Sequence, residues 1–417
     1  MEQRRKNLTQ LFIPICLETL LYMLSGMVDT LMLSSVNDQA VGAVGTANTY
    51  IGIFIIMFSV ISSGMVAVMT QNIGAGRPGV AYQARQLGLA FNAVLGIILS
   101  LILAFGAGTI LAGVGVADAL MQPARTYLQI VGGFCILNAL IPICSSYLRA
   151  FGFSKEPLYA SIIGNVINFC LNAFFLFVLH KGVAGVATAT VVSRIINLVI
   201  VVLLGAVLVK AKKHPERESN REVMGQIIRI GLPSACETAI YNVSMTLVIR
   251  FLNQMDAQGL NVTARSYTMQ ITNFSYCVGA ALAQANAIMT GWRIGAKEYD
   301  ACDRGTRKAA IIGVIVAVIL ETMFALCSGW IMQLFSKDPQ MVSLVGKLLA
   351  IDIVLEMGRV TNLVYGQALK TSGDAVFPVV MGACFMILCS VGGTYLFGIR
   401  LGLLAVGAYI GMAGDEC

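Results

Sequence analysis

The chain has 417 residues, 57% of them apolar and 12% charged, with a formal net charge of +7. A mean hydropathy of +0.80 is too high for a water-soluble globule of this length, which leaves a polytopic membrane protein. With only two histidines, His180 and His214, both in predicted loops, a histidine-rich metal site is excluded; the eleven cysteines show no C-x-x-C and read as small packing residues.

A helix needs about 20 mostly apolar residues to cross a hydrocarbon core of roughly 30 Å. Such runs lie near 11–34, 47–71, 86–107, 126–148, 158–179, 184–209, 226–250, 265–290, 308–330, 343–366, 375–396 and 400–415. They predict an all-α integral membrane protein with twelve transmembrane helices. The runs are longer and more continuously apolar than the alternating strands of a barrel. The first lacks a small-residue cleavage site before its end, so it reads as a span and not as a signal peptide.

Several spans carry polar stripes. In the first, Glu18, Tyr22, Ser25 and Asp29 follow at i, i+4, i+7 and i+11, one face at about 100° per residue. In the fifth, Asn165, Asn168 and Asn172 share a face, and the sixth carries Arg194. The basic segment "KAKKHPERESNRE" at 210–222 reads as a solvated cytoplasmic linker. Beyond it, the seventh span repeats the first with Glu237, Tyr241 and Ser244, followed by Asn242 beside the tyrosine, but has Val248 where the first has Asp29. The eighth carries Gln270, Asn273, Cys277 and Gln284, and the tenth Asp352, Glu356 and Arg359, with Glu356 and Arg359 close enough for an ion pair. These polar faces are expected to line the interiors of the lobes.

Lysine and arginine number 19 on one side of the predicted membrane and seven on the other, which places the N-terminus in the cytoplasm. Loop asymmetry thus accounts for the positive charge without a nucleic-acid partner.

The chain also repeats itself. At an offset of 219, Pro14, Glu18, Thr19 and Tyr22 meet Pro233, Glu237, Thr238 and Tyr241; at 221, Leu148, Arg149, Gly152 and Pro157 meet Leu369, Lys370, Gly373 and Pro378. Each copy holds six spans and enters the membrane in the same sense, giving a parallel pseudo-two-fold repeat. The lobes are then 1–209 and 226–417, joined by 210–225. Duplicated lobes of this kind place a substrate path at their interface.

A charge in a span is costly and has a partner or a task. For the glutamates the partner reading is interhelical glue, Glu18 with Arg194 and Glu237 with Arg359. Asp29, unmatched in the other copy, reads as functional: in a low-dielectric cavity it can exchange a proton or Na⁺, with Asn168 and Asn172 as amide partners.

The segments "PICLETLLYMLSGMVDTLML", "TQNIGAGR", "GLPSACETAIYNVS" and "LEMGRVTNLVYGQALKTSGDAVFP" resemble the multidrug and toxic compound extrusion (MATE) transporters over nearly the whole chain. The resemblance implies a twelve-helix antiporter of the cell inner membrane, exporting cationic or amphipathic compounds against H⁺ or Na⁺ and using no other cofactor. It assigns cation coupling to the aspartate of "VDT", Asp29. Asn172 departs from an acid found in some members, and Asn242 and Arg359 stand about where another branch has carboxylates. The end at Asp415-Glu416-Cys417, short of the family's basic tail, reads as a truncation.

A monomer embedded in lipid is expected. The nearest rival, a flippase for a lipid-linked precursor, requires a cationic cavity, whereas the spans hold two arginines against six carboxylates, Glu321 among them. A membrane enzyme is disfavoured: there is no D-D-x-x-D, no H-E-x-x-H and no histidine in a span.

Overall fold

The computed structural model describes residues 6–35, 38–113, 116, 118–209, 216–255, 259–333, 336 and 338–417. Arg4, Arg5, Lys337, His214 and the first half of the basic linker, 210–215, lie outside the described residues.

Long apolar runs fold as helices because only intrasegment hydrogen bonding satisfies the backbone in lipid. In the N-terminal half these are α1 (Leu8–Ser34), α2 (Asp38–Gly74), α3 (Pro78–Gly113), α4 (Asp118–Tyr127), α5 (Ile136–Ala150), α6 (Lys155–Ala173) and α7 (Gly182–Leu208). They are followed by α8 (Asn220–Met255), α9 (Leu260–Gly295), α10 (Tyr299–Leu326), the short α11 (Ser328–Met332), α12 (Pro339–Ser372), α13 (Val376–Phe385) and α14 (Leu404–Glu416). Wider π-helical turns extend α4, α6 and α13. Among the described residues, seven helices are long and apolar enough to cross a membrane alone, and eight if the bent pair Leu120–Gly132 and Ile136–Ala150 counts as one span. The twelve runs read from the sequence therefore all fold as helix, but α8, α9 and α12 carry the polar stripes and α14 has only 13 residues. Phe105 is 84% exposed, Trp330 83% and Leu326 82%, as expected of side chains in contact with lipid.

The chain divides into two compact units, Met1–Leu232 and Pro233–Cys417, with the division inside α8. In the first, α1 packs on α6, α6 on α7, α3 on α2 and α5, and α5 on α7; Leu99, Leu103, Leu111, Tyr127, Leu128 and Val131 form its core. In the second, α9 and α10 pack on α12, and α12 on α14, around Val248, Leu252, Val345, Leu348, Leu349 and Tyr409.

The duplication is visible in the backbone. Gly152 and Gly373 both adopt positive φ after α5 and α12, and each returns its N–H to the same carbonyl of the preceding turn, Gly152 to Arg149 at 2.9 Å and Gly373 to Lys370 at 3.2 Å. The turn after α2 has Gly76 at φ +76°, and its counterpart after α9 has Lys297 at φ +62°. The following N–H groups, Arg77 to Asn72 and Glu298 to Arg293, close the same bond at 2.8 Å in both copies. One lobe therefore meets the left-handed requirement with glycine and the other with a strained lysine, at a cost of about 1 kcal/mol. Lys297→Gly should raise the thermal unfolding midpoint of the detergent-solubilised protein, and Gly76→Ala should lower it by the equivalent of about 1 kcal/mol. Unchanged midpoints for both would show that the turn carries no strain.

Candidate functional site

Pro14 lacks an N–H, so the carbonyl of Gln10 loses its helical donor. The hydroxyl of Ser154, in the connection from α5 to α6, donates to that carbonyl at 2.9 Å. Two turns further along α1, Glu18 accepts from Arg149 Nη2 at 2.6 Å, with side-chain exposures of 17% and 10%. In the second unit, Lys370 Nζ donates to Glu237 Oε2. Arg149 and Lys370 lie in the last turns of α5 and α12 and are largely buried. The expected partners, Arg194 for Glu18 and Arg359 for Glu237, are thus corrected: spacing along one helix shows which face a charge occupies, but not which distant residue reaches that face. The signal was present in the repeat, which pairs Arg149 with Lys370 as it pairs Glu18 with Glu237.

Asp29 stands apart. It is partly buried on α1 and accepts from Asn172 Nδ2 at 2.6 Å, while the same amide donates to Asn168 Oδ1 at 3.2 Å. Asn168 is 5% exposed and Asn172 is fully buried, and the carbonyl oxygen of Asn172 has no partner. Asn165, one turn earlier, donates to the Leu21 carbonyl at 3.4 Å. Arg194 on α7 and Tyr127 at the end of α4 lie within electrostatic range of this group. The structure therefore joins Asp29, Asn168 and Asn172 in one chain of hydrogen bonds, held by an amide and not by a cation. Tyr22, on the same stripe, is 64% exposed.

In the second unit the polar stripes divide. Asp352 and Glu356 are buried in α12, and Arg359 joins Glu356 at 2.9 Å and Glu416 at 3.3 Å. Glu416 also accepts from Asn362 at 3.0 Å. Gln270 and Asn273 are exposed on α9, whereas Cys277 is buried, and α9 packs on α12. Tyr241 is 38% exposed, and the exposed Asn242 donates to the Thr238 carbonyl at 2.8 Å. Among the described residues, no group of three acidic, histidine or cysteine side chains is placed to hold a metal ion.

Two helical lobes with carboxylates and amides buried in their spans define a multi-pass membrane transporter. The MatE family model matches residues 14–174 and 233–396, and the chain belongs to that family. It is similar to the uncharacterized transporter YisQ of Bacillus subtilis, 33% identical over 97% of this chain and 90% of that one. It is also similar to the probable multidrug resistance protein NorM of Thermotoga maritima, 23% identical over 99% and 89%. Among solved structures, a multidrug resistance MATE family transporter in its outward-facing conformation matches with a TM-score of 0.88 at 17% identity, over 98% of this chain and 92% of that one. A MOP superfamily transporter from Pyrococcus furiosus matches with a TM-score of 0.86 at 18% identity, over the same shares.

Removing one partner of a buried ion pair leaves the other charge uncompensated, whereas replacing both by apolar groups is much milder. Arg149→Leu should therefore lower stability by about 2–3 kcal/mol. Glu18→Leu combined with Arg149→Leu should recover at least half of that loss, measured by thermal unfolding in detergent. Additive losses would show that the two side chains are not coupled.

Proposed function

We propose that the protein is a secondary active exporter that moves cationic or amphipathic small molecules out of the cell in exchange for H⁺ or Na⁺, with its N-terminus in the cytoplasm of a cell inner membrane. The observation that carries the reading is Asp29, a carboxylate within a span that is held by Asn172 and not neutralised by a paired lysine or arginine. Ionised, it is acceptor-only, and the Asn172 amide donates to it. In that state Asp29 attracts a cationic cargo. A proton or Na⁺ arriving from outside discharges the carboxylate and releases the cargo. The unpartnered Asn172 carbonyl oxygen supports this exchange, because it can accept from a protonated Asp29 or coordinate Na⁺, and Asn168 fixes the orientation of the amide. The proteins of Thermotoga maritima and Bacillus subtilis named as probable multidrug resistance proteins support export of this class of cargo.

A flippase for a lipid-linked precursor is the second reading. The Pyrococcus furiosus relative is described as having a binding pocket of reverse polarity that suggests a different function, so the fold leaves the cargo open and pocket charge decides it. Here Glu18 and Glu237 are used by Arg149 and Lys370. The remaining intramembrane groups, Asp29, Glu321, Asp352 and Glu356 against Arg194, Arg265 and Arg359, stay acidic by one charge, which favours a cation over a diphosphate.

Asp29→Asn keeps the hydrogen-bonding shape and removes the charge. Efflux of a fluorescent organic cation from proteoliposomes, under separately imposed H⁺ and Na⁺ gradients, should fall at least tenfold in the variant, and the gradient that drives the wild type names the ion. Wild-type rates in Asp29→Asn, with the same gradient dependence, would reject Asp29 as the coupling group.

A further inference from the structure

Three helices of the C-terminal lobe meet on one side chain. A Cβ at Gly279 on α9 would lie 2.7 Å from Val360, and one at Gly313 on α10 would lie 2.5 Å from it; Val360 therefore sits between two glycines at a shared level. Helices α9 and α10 are joined by residues 296–298 and run antiparallel, and α12 runs in the direction of α9. One step of four residues, about 6 Å of rise, leads from that level to Ser275 on α9, Ala317 on α10 and Glu356 on α12. A second step leads to Ile271, Glu321 and Asp352. Two carboxylates thus face each other at one level, with a third and a serine hydroxyl one turn away.

Glu321 is fully buried, and neither of its carboxylate oxygens has a hydrogen-bond partner. Asp352 is 3% exposed with Oδ2 unpartnered, and Glu356 is fully buried with Oε1 unpartnered. Ser275, 1% exposed, lies within hydrogen-bonding reach of Glu321, although no hydrogen bond of good geometry joins them. The cations are few. Arg359 on α12 is already used by Glu356 and by Glu416 of α14. Arg265 on α9 is near Tyr409, as is Asp352, and it donates to Met245 Sδ at 3.6 Å. Neither is hydrogen-bonded to Glu321. An isolated buried carboxylate costs far more than protein stability can supply, and it neutralises instead. Protonation is the neutralisation that needs no further partner in the pocket.

The N-terminal lobe confirms that this chemistry is not part of the shared scaffold. At the offset of 221, Gly313 and Val360 correspond to Asn92 and Ala139, and Asn92 donates to the Ala139 carbonyl and to the Phe58 carbonyl of α2, at 3.4 Å each. The same level thus exists there. Glu321, Asp352 and Glu356 correspond to Ser100, Val131 and Cys135, all uncharged, and Ser100 accepts from the Ile136 N–H at 3.0 Å.

We propose that Glu321, flanked by Ser275, Asp352 and Glu356, is a second proton-binding site in the C-terminal lobe, distinct from Asp29. A proton from water adds to a Glu321 carboxylate oxygen to give a neutral acid whose O–H can donate to Ser275 or to the Asp352 carboxylate, and it leaves as the pocket opens to the other side. Its part in transport rests on the antiport reading; its existence as a site does not.

The test is infrared difference spectroscopy of the reconstituted full chain across pH steps in H₂O and D₂O, following the carbonyl stretch of protonated carboxylic acids. Glu321→Gln should lose an acid band that Asp29→Asn retains, and Ser275→Ala should shift that band. Under an imposed pH gradient, Glu321→Gln should export with fewer protons per cargo than wild type. If Glu321→Gln misfolds, a displaced band in Glu321→Asp and the shift in Ser275→Ala decide the matter. Acid bands identical in wild type, Glu321→Gln and Glu321→Asp would overturn the site, as would loss of the band on adding Na⁺ at constant pH. A Glu321 band in a protein whose export ignores every gradient would uphold the site and reject antiport.

Discussion

The ion pair between α1 and α5, repeated between α8 and α12, fixes the frame on which each lobe depends. Glu18 with Arg149, and Glu237 with Lys370, join the first and fourth spans of their lobes at the turn where the fourth span ends. In the first lobe the same corner is tied again where Ser154 fills the carbonyl that Pro14 orphans. A half-desolvated pair of this kind contributes less to stability than to uniqueness, since any other seating of α1 would strand a charge in a low-dielectric environment. The sequence keeps the geometry while changing the cation from arginine to lysine. A forked guanidinium and a point ammonium serve equally here because each meets one carboxylate oxygen.

The backbone is conserved between the lobes more strictly than the residues that shape it. Gly76 and Lys297 occupy one turn, and the connection before the last span of each lobe carries two residues of positive φ, His180 and Gly182 in one, Gly402 and Leu404 in the other. Gly152 and Gly373 are glycines in both copies, but at the Gly76 turn one copy has a glycine and the other a strained lysine, so there the surrounding packing, more than local preference, imposes the conformation. The same holds inside: Asn92 bridges two carbonyls at the level where the other lobe closes around Val360 with two glycines. Two solutions, one polar and one steric, set the same helix spacing.

Much of this was legible in the sequence. Apolar runs gave the helices, the offset of about 220 residues gave the matched turns and glutamates, and the stripes on the first and fifth spans named Asp29 and Asn172, which a hydrogen bond joins. What stayed hidden follows from physics that spacing does not encode. Arg149 and Lys370 each sit at the end of an apolar run, where spacing does not show whether a charge turns inward, although the repeat matches the two to each other. Glu321 is a single acid in an apolar run, with no stripe of its own; its neighbours come from α9 and α12, and only the register around Val360 brings them to its level.

The two lobes therefore share a frame and differ in where they hold acid. Asp29 has Val248 as its counterpart, and Glu321, Asp352 and Glu356 have Ser100, Val131 and Cys135. Duplication followed by drift alone would scatter such differences over both surface and core. Unmatched carboxylates occur in the loops as well, but those in the spans stand where an unpaired charge is most costly, and the matched pair Glu18 and Glu237 forms the structural ion pairs. Burial of a charge without a fixed partner persists only if the charge is intermittently removed or intermittently paired. Because the frame is held by its own ion pairs, each pocket is free to change charge without loosening the helices around it.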